Sequence, residues 1–293
     1  MKLTRRAVLA ALITPAVAAA ALLSSSPPAL ATPVPPAPDP ALFGTWVNLN
    51  PNTTGIKEIE ITPAVFGITI DVFPANTRDW GGIRGTVFGS TASSPTGGYF
   101  EGNWDFGFKR AVLWGGLIAS PVGPGQALIA EDLNTFTDNS GRANYQVTDV
   151  FTRAANPAGP GRFGTAATGY PVGNSPSPVP SLPGTWVNIS PTGAMREIIL
   201  TAGPGGTLTV SAFGNCGPPL CPWGTVTGTT FGASISSTTG AAFLASYTFG
   251  FANKLVIGYV NVPGDRLVVY TLTEFTDHSG RSNYLSGGTF TRG

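Results

Sequence analysis

The side chains that could do chemistry in this chain are few. Its 293 residues carry 15 Asp and Glu, 16 Lys and Arg and a single histidine, a charged fraction of 11%. Carboxylate-based hydrolysis needs two acids facing one site. Glu131 and Asp132 are adjacent, so on a strand they point to opposite faces and cannot form that pair. Glu101 and Asp105, with Asn103 between them, could share a strand face and are the best candidates for a hydrolase. Glu58 and Glu197 each follow a basic residue, Lys57 or Arg196, as expected of a solvated strand face. His278 sits in Asp277-His278-Ser279-Gly280, a turn former's position rather than a general base's. Asp138-x-Ser140-Gly141 and Asp277-x-Ser279-Gly280 resemble pieces of calcium loops, but each offers one carboxylate where six or more oxygens are needed. Arg142 and Arg281, which follow them, are expected to steady the turns. No Gly-x-Ser-x-Gly elbow, phosphate loop or basic aromatic stripe is present. These residues lead to a non-enzymatic reading with no cofactor and no metal, and the balanced charge gives no field for nucleic acid.

The aromatic residues are the stronger candidates. Phe100, Trp104, Phe106 and Phe108 recur as Phe243, Tyr247, Phe249 and Phe251. Shared on one strand face, they line either a packed interior or a ligand pocket. Trp80 and Trp223 lie in Gly-rich stretches, where exposed rings could stack on a sugar. Cys216 and Cys221, five positions apart, are expected to close a small local disulfide loop.

The elements that must position these residues come in two copies. Gly44-Thr45-Trp46-Val47-Asn48 returns as Gly184-Thr185-Trp186-Val187-Asn188, and Trp80-Gly81 returns as Trp223-Gly224. Phe136-Thr137-Asp138-Asn139-Ser140-Gly141-Arg142 returns as Phe275-Thr276-Asp277-His278-Ser279-Gly280-Arg281, and Phe151-Thr152-Arg153 returns as Phe290-Thr291-Arg292. The offset stays between 139 and 143 residues, which marks a duplicated domain rather than a short solenoid repeat. Period-two alternation predicts eight strands in copy one, near 43–50, 56–62, 67–73, 83–89, 99–108, 110–119, 127–137 and 143–153. Eight sequential strands with short connections suit an up-and-down antiparallel barrel, with a Greek-key sandwich as the competitor. The expected class is all-β: two tandem eight-stranded barrels joined by a Pro/Gly-rich linker.

The remaining segments set the address and the spacing. Residues 1–31 read as an export signal: Lys2, Arg5 and Arg6, then an apolar run, then Ala29-Leu30-Ala31 as a cleavage site. Arg5-Arg6 leaves the export route open between the general and the twin-arginine pathways. Removing the leader leaves 13 basic against 15 acidic residues and no membrane span in the mature chain. Residues 32–42 are Pro-rich and expected to be disordered. Repeat one is assigned to 43–153 and repeat two to 184–293. Between them 154–183, with 7 Pro and 5 Gly, is expected to be a flexible, extended linker.

A Gly-x-Trp on the first strand with a basic residue ending the last resembles the structural signature of the calycin superfamily, the lipocalins and avidins. The resemblance implies an eight-stranded barrel in which Trp46 packs under Arg153 and Trp186 under Arg292. Gly44-Thr45-Trp46-Val47-Asn48 and Asp149-Val150-Phe151-Thr152-Arg153 resemble the avidin branch in particular. That likeness implies that Asn48 and Asp149 stand where avidins hydrogen-bond the ureido head of biotin, and that Trp114 stands near a ligand-stacking position. Copy two keeps Asn188 but has Gly288 and Ile257 in place of Asp149 and Trp114, so the implication is confined to copy one.

The reading that follows is an exported binding protein holding a small apolar or mixed-polarity ligand in or at the mouth of each barrel. Its candidate contacts are Asn48, Trp80, Trp104, Trp114, Asp149, Asn188, Trp223 and Tyr247. A carbohydrate or cell-wall binding module using the loop tryptophans is the alternative.

Overall fold

A computed structural model of the chain describes residues 35–75, 78–154, 163–261 and 265–293. The export signal at 1–31 and residues 155–162 of the linker lie outside these. Within them the chain builds two closed eight-stranded antiparallel barrels, one after the other. Barrel 1 comprises β1 (Gly44–Asn48), β2 (Ile56–Pro63), β3 (Ile68–Pro74), β4 (Ile83–Phe88), β5 (Tyr99–Asp105), β6 (Lys109–Ala119), β7 (Gln126–Phe136) and β8 (Tyr145–Arg153). Barrel 2 repeats it with β9 (Gly184–Asn188), β10 (Met195–Ala202), β11 (Leu208–Gly214), β12 (Cys221–Phe231), β13 (Ala242–Thr248), β14 (Ala252–Val260), β15 (Arg266–Phe275) and β16 (Tyr284–Arg292). Each strand pairs with its sequence neighbours, and the last pairs with the first. The strands expected in copy one are all present, and none of their ends moves by more than three residues. The largest change is at β5, which stops at Asp105 because its carboxylate accepts from Gly107 N–H at 2.8 Å and Gly107 turns the chain with φ +81°.

Alternation fills each barrel. Ile68, Ile70 and Val72 of β3, and Leu208, Val210 and Ala212 of β11, are fully buried in their respective cores. One end of each barrel is closed by the Gly-x-Trp strand. Trp46 and Trp186 are fully buried, their indole N–H groups donating to Leu42 O at 2.9 Å and Leu182 O at 3.0 Å. Arg153 lies over Trp46 with 4.4 Å from guanidinium carbon to ring centre, and Arg292 over Trp186 at 4.1 Å. Each arginine also donates to two carbonyls of the chain entering its barrel: Ala41 and Phe43, Ser181 and Pro183. Gly44 has φ +121°, and a Cβ there would stand 2.7 Å from Arg153 Nη1, so this position needs glycine on two counts.

Two segments expected to be loose are attached to the barrels. Of 32–42, residues 35–42 are ordered: Ala37–Pro38 pairs with Thr96–Gly97, and a 3₁₀ turn at Pro40–Leu42, capped by Asp39, buries Leu42 under Trp46. Of 154–183, residues 163–183 run extended but bonded. Asp105 N–H donates to Thr165 O and Ala167 N–H to Asn103 O, both at 2.8 Å, and Ser177–Pro178 pairs with Thr239–Gly240. Proline removes donors without preventing an extended chain from using its carbonyls along a sheet edge.

The barrels also pack on each other. Backbone bonds exchange reciprocally: Gly89 N–H to Asn283 O at 2.8 Å, Leu285 N–H to Gly89 O at 2.9 Å, and in the other copy Gly232 N–H to Asn144 O and Gln146 N–H to Gly232 O, both at 2.9 Å. Behind them lies a third apolar cluster, built from Phe88, Val112, Trp114 and Leu133 of barrel 1 with Phe231, Leu244, Leu255, Ile257 and Leu272 of barrel 2. This is an isologous contact within one chain. The Cys216–Cys221 disulfide forms, at the start of β12.

Candidate functional site

The end of barrel 1 opposite Trp46 is open. There β5 ends, β6 begins, β7 ends and β8 begins, which brings Trp80, Phe106, Phe108, Lys109, Phe136 and Tyr145 around a cavity of about 440 Å³. Trp80 packs edge-on against Trp104 at 5.3 Å and Phe106 at 5.4 Å between ring centres. Trp104 lies deeper, its indole N–H donating to Gly81 O at 2.9 Å. Arg142 lies over Phe136 at 4.2 Å and is held by Asp138 at 2.7 Å, while Arg78, Asp79 and Ile235 of barrel 2 complete the rim.

Lys109 is the polar centre. Its Nζ stands 4.9 Å from the Trp80 ring centre and 5.0 Å from that of Phe106, and donates to Asn134 Oδ1 at 2.6 Å. Asn134 Nδ2 in turn donates to Asp132 Oδ2 at 2.6 Å. Burial lowers the Lys109 pKa, with Asp132 opposing and Arg142 reinforcing the shift. Burial raises Asp132 to about 6, against Lys109 and Asn134. Barrel 2 repeats the device from a different position. Lys254 aligns with Ala111, yet its Nζ lies over Trp223 at 4.7 Å and donates to Thr273 Oγ1 at 3.0 Å, Thr273 being the counterpart of Asn134. There Tyr247 and Phe249 stack at 6.3 Å and Trp223 meets both edge-on. Burial, with Arg281 nearby, takes Lys254 down to about 8.

Comparisons with protein-family models, curated proteins and solved structures found no match.

The structure sorts the sequence candidates into three places. Trp80 and Trp104 meet in the mouth of barrel 1, and Trp223 and Tyr247 in that of barrel 2. Trp80 is only 9% exposed and Trp223 half-buried on β12, because the aromatic face of β5 or β13 draws each ring inward; neither is an exposed loop residue. Asn48 and Asn188 hold turns. Asn48 Nδ2 donates to Ile56 O at 2.8 Å and its Oδ1 accepts from Asn50 N–H at 2.9 Å; Asn188 does the same with Met195 and Ser190. Asp149 lies beneath that turn, its pKa raised by burial and lowered again by Asn48. At Gly288 a Cβ would stand 2.7 Å from Asn188 Nδ2, so a side chain here would have to displace the Asn188 amide. Trp114 is on the outer face of β6, between the barrels. Glu101 and Asp105 form no pair: Glu101 accepts from Tyr170 OH at 3.5 Å, and Asp105 is bound by Arg110 at 3.2 Å.

Lys109, Asn134, Asp132 and Tyr145 were not among the sequence candidates. The one available signal was charge within an alternating apolar strand: Lys109, Ala111 and Leu113 share a face.

Proposed function

We propose that this is an exported, non-catalytic binding protein of calycin-like build, whose first barrel holds one small ligand at its open end. The ligand has an apolar ring or chain and an anionic or hydrogen-bond-accepting head. The carrying observation is the 440 Å³ aromatic mouth with Lys109 in its wall. Its volume lies within the range of small-molecule sites. Lys109 has three donors, one of which goes to Asn134, and it shares the lining with Arg142, itself held by Asp138. A sugar platform would need exposed rings, which the burial of Trp80 disfavours, and the separate engagement of Glu101 and Asp105 disfavours a hydrolase. The disulfide and the lack, among the described residues, of a helix long and apolar enough to cross a membrane are compatible with export.

Titration with anilinonaphthalene sulfonate, an anionic aromatic probe, tests this reading. Saturable fluorescence enhancement is expected, weakened about tenfold or more by Trp80→Ala and by Lys109→Met. Equal binding by Lys109→Met and the parent would defeat the anionic head. No effect of Trp80→Ala would move the site elsewhere.

A further inference from the structure

A second cavity, of about 340 Å³, lies in the cleft between the barrels, away from the mouth of barrel 1. Four aromatic rings form its walls: Tyr99 and Trp114 from barrel 1, Tyr259 and Tyr270 from barrel 2. Trp114 and Tyr270 are 4.8 Å apart between ring centres, and Tyr259 and Tyr270 are 6.4 Å apart. Two glycines set the rings. A Cβ at Gly116 would stand 2.2 Å from Tyr99 Cδ1, and one at Gly287 would stand 3.1 Å from Tyr270 Cδ1, so both tyrosines lie against bare backbone.

Two polar atoms in this cleft form no well-aligned hydrogen bond, although the Trp114 indole is close enough to Glu131 to favour its carboxylate. Glu131, 4% exposed, leaves its Oε1 without a hydrogen bond, and Trp114, 7% exposed, leaves its indole N–H without one. Apart from the three tyrosine hydroxyls, Glu131 is the only ionisable group in the lining, and no lysine or arginine answers it. A buried carboxyl with one oxygen unsatisfied and only an indole beside it is costly to keep ionised unless something adds a counter-charge. The copies also diverge at this place. Trp114 faces Ile257 in the alignment of the repeats, Glu131 faces Tyr270, and Gly116 faces Tyr259. The duplication has thus placed the acid on one barrel and two of the four rings on the other.

We propose that the cleft binds a small organic cation, an alkylated or quaternary ammonium group, held over the faces of Trp114, Tyr99, Tyr259 and Tyr270 with the Glu131 carboxylate as its counter-charge. Aromatic faces attract such cations because of the ring quadrupole, and a desolvated carboxylate adds the charge that decides between a cation and a neutral isostere. Without a ligand, burial pushes Glu131 up to about 8, the indole N–H of Trp114 working the other way. The arriving cation therefore displaces a proton near neutral pH, and affinity rises with pH up to that value. Burial first, and then Tyr270 and Glu131, raise the Tyr259 phenol above its ordinary range, so it stays neutral throughout.

Isothermal titration of the full chain with choline tests the proposal, with dimethylbutanol as the neutral isostere. Binding of choline is expected about tenfold or more tighter than binding of the alcohol. Repetition in buffers of different ionisation enthalpy should reveal proton release near pH 7. Glu131→Gln should remove the preference for the cation and the proton release while retaining the fold, checked by thermal melting, and Trp114→Phe should weaken choline binding several-fold. No choline binding by the parent, equal affinity for choline and the alcohol, or choline binding unchanged in Glu131→Gln overturns the proposal. Anilinonaphthalene sulfonate should not displace choline, so failure here leaves the barrel mouth untouched, and the converse.

Discussion

At the scale of the residue, the clearest dependence is between a glycine and an arginine. Gly44 and Gly184 both have φ between +120° and +145°, and a Cβ at either would press on the guanidinium of Arg153 or Arg292. That guanidinium covers a buried tryptophan and bonds two carbonyls of the entering chain, so three features fail together if it moves. Gly44→Ala is expected to destabilise the protein by about 1–3 kcal/mol, from backbone strain and displacement of Arg153. Arg153→Lys keeps the charge but loses the planar fork, and should lower stability by about 1–2 kcal/mol. Denaturant titration measures both; a neutral Gly44→Ala would mean that the backbone at this position relaxes freely. Asn48 shows the limit of residue-level reading. Its place after Gly-Thr-Trp-Val suggested a ligand contact, whereas both of its polar atoms are engaged by the turn to β2.

At the scale of the element, the strands that matter most are apolar on both faces. In β6 and β7, Ala111, Leu113, Leu128 and Ala130 face the barrel core while Val112, Trp114 and Leu133 face the other barrel. Such double-sided strands are the mark of a sheet covered on both sides. The connections 89–98 and 232–238 follow the same logic, each docking by backbone bonds at the mouth of the opposite barrel. Hydrogen exchange should therefore find the amides of Gly89, Gln146, Gly232 and Leu285 protected well beyond those of the outer turns at Gly125 and Gly205. Rapid exchange at all four would show that the docking opens easily.

At the scale of the whole molecule, the buried interface carries acids. Burial raises Glu131 to about 8 and Glu101 to about 7, and Glu274 is raised as well. Each therefore binds its proton more tightly when folded than when unfolded. Their contribution is complete below the ordinary glutamate range near pH 4.5 and is lost as pH rises through about 7 and 8. Lys254, lowered to about 8, acts in the opposite direction, but only above that pH. The melting temperature is thus expected to fall between pH 5 and 8, and Glu131→Gln should reduce the slope, by on the order of a few kcal/mol over the interval. A flat profile in the parent protein would show that water reaches these carboxyls. Separating the barrels is a second test at this scale. A chain ending at residue 154 would expose Phe88, Trp114 and Leu133, and should self-associate in sedimentation experiments through the face that normally meets barrel 2.

The sequence by itself determined the repeat, the strands and the closure of each barrel, because alternation, turn glycines and the Trp–Arg pair are local patterns that each copy states separately. It also placed Trp104 and Tyr247 on one aromatic strand face, since spacing on a strand decides which face residues share, whereas Trp80 and Trp223, expected to offer exposed rings, are drawn inward by that face. What it could not determine was what covers the outer face. Whether Trp114 and Glu131 meet water or a second barrel depends on how two folded bodies dock, and no period within one copy encodes that. The mouth was hidden for a related reason. Lys109 and Lys254 reach the same tryptophan from positions two residues apart in the alignment of the copies, so only the assembled barrel shows that they do the same thing.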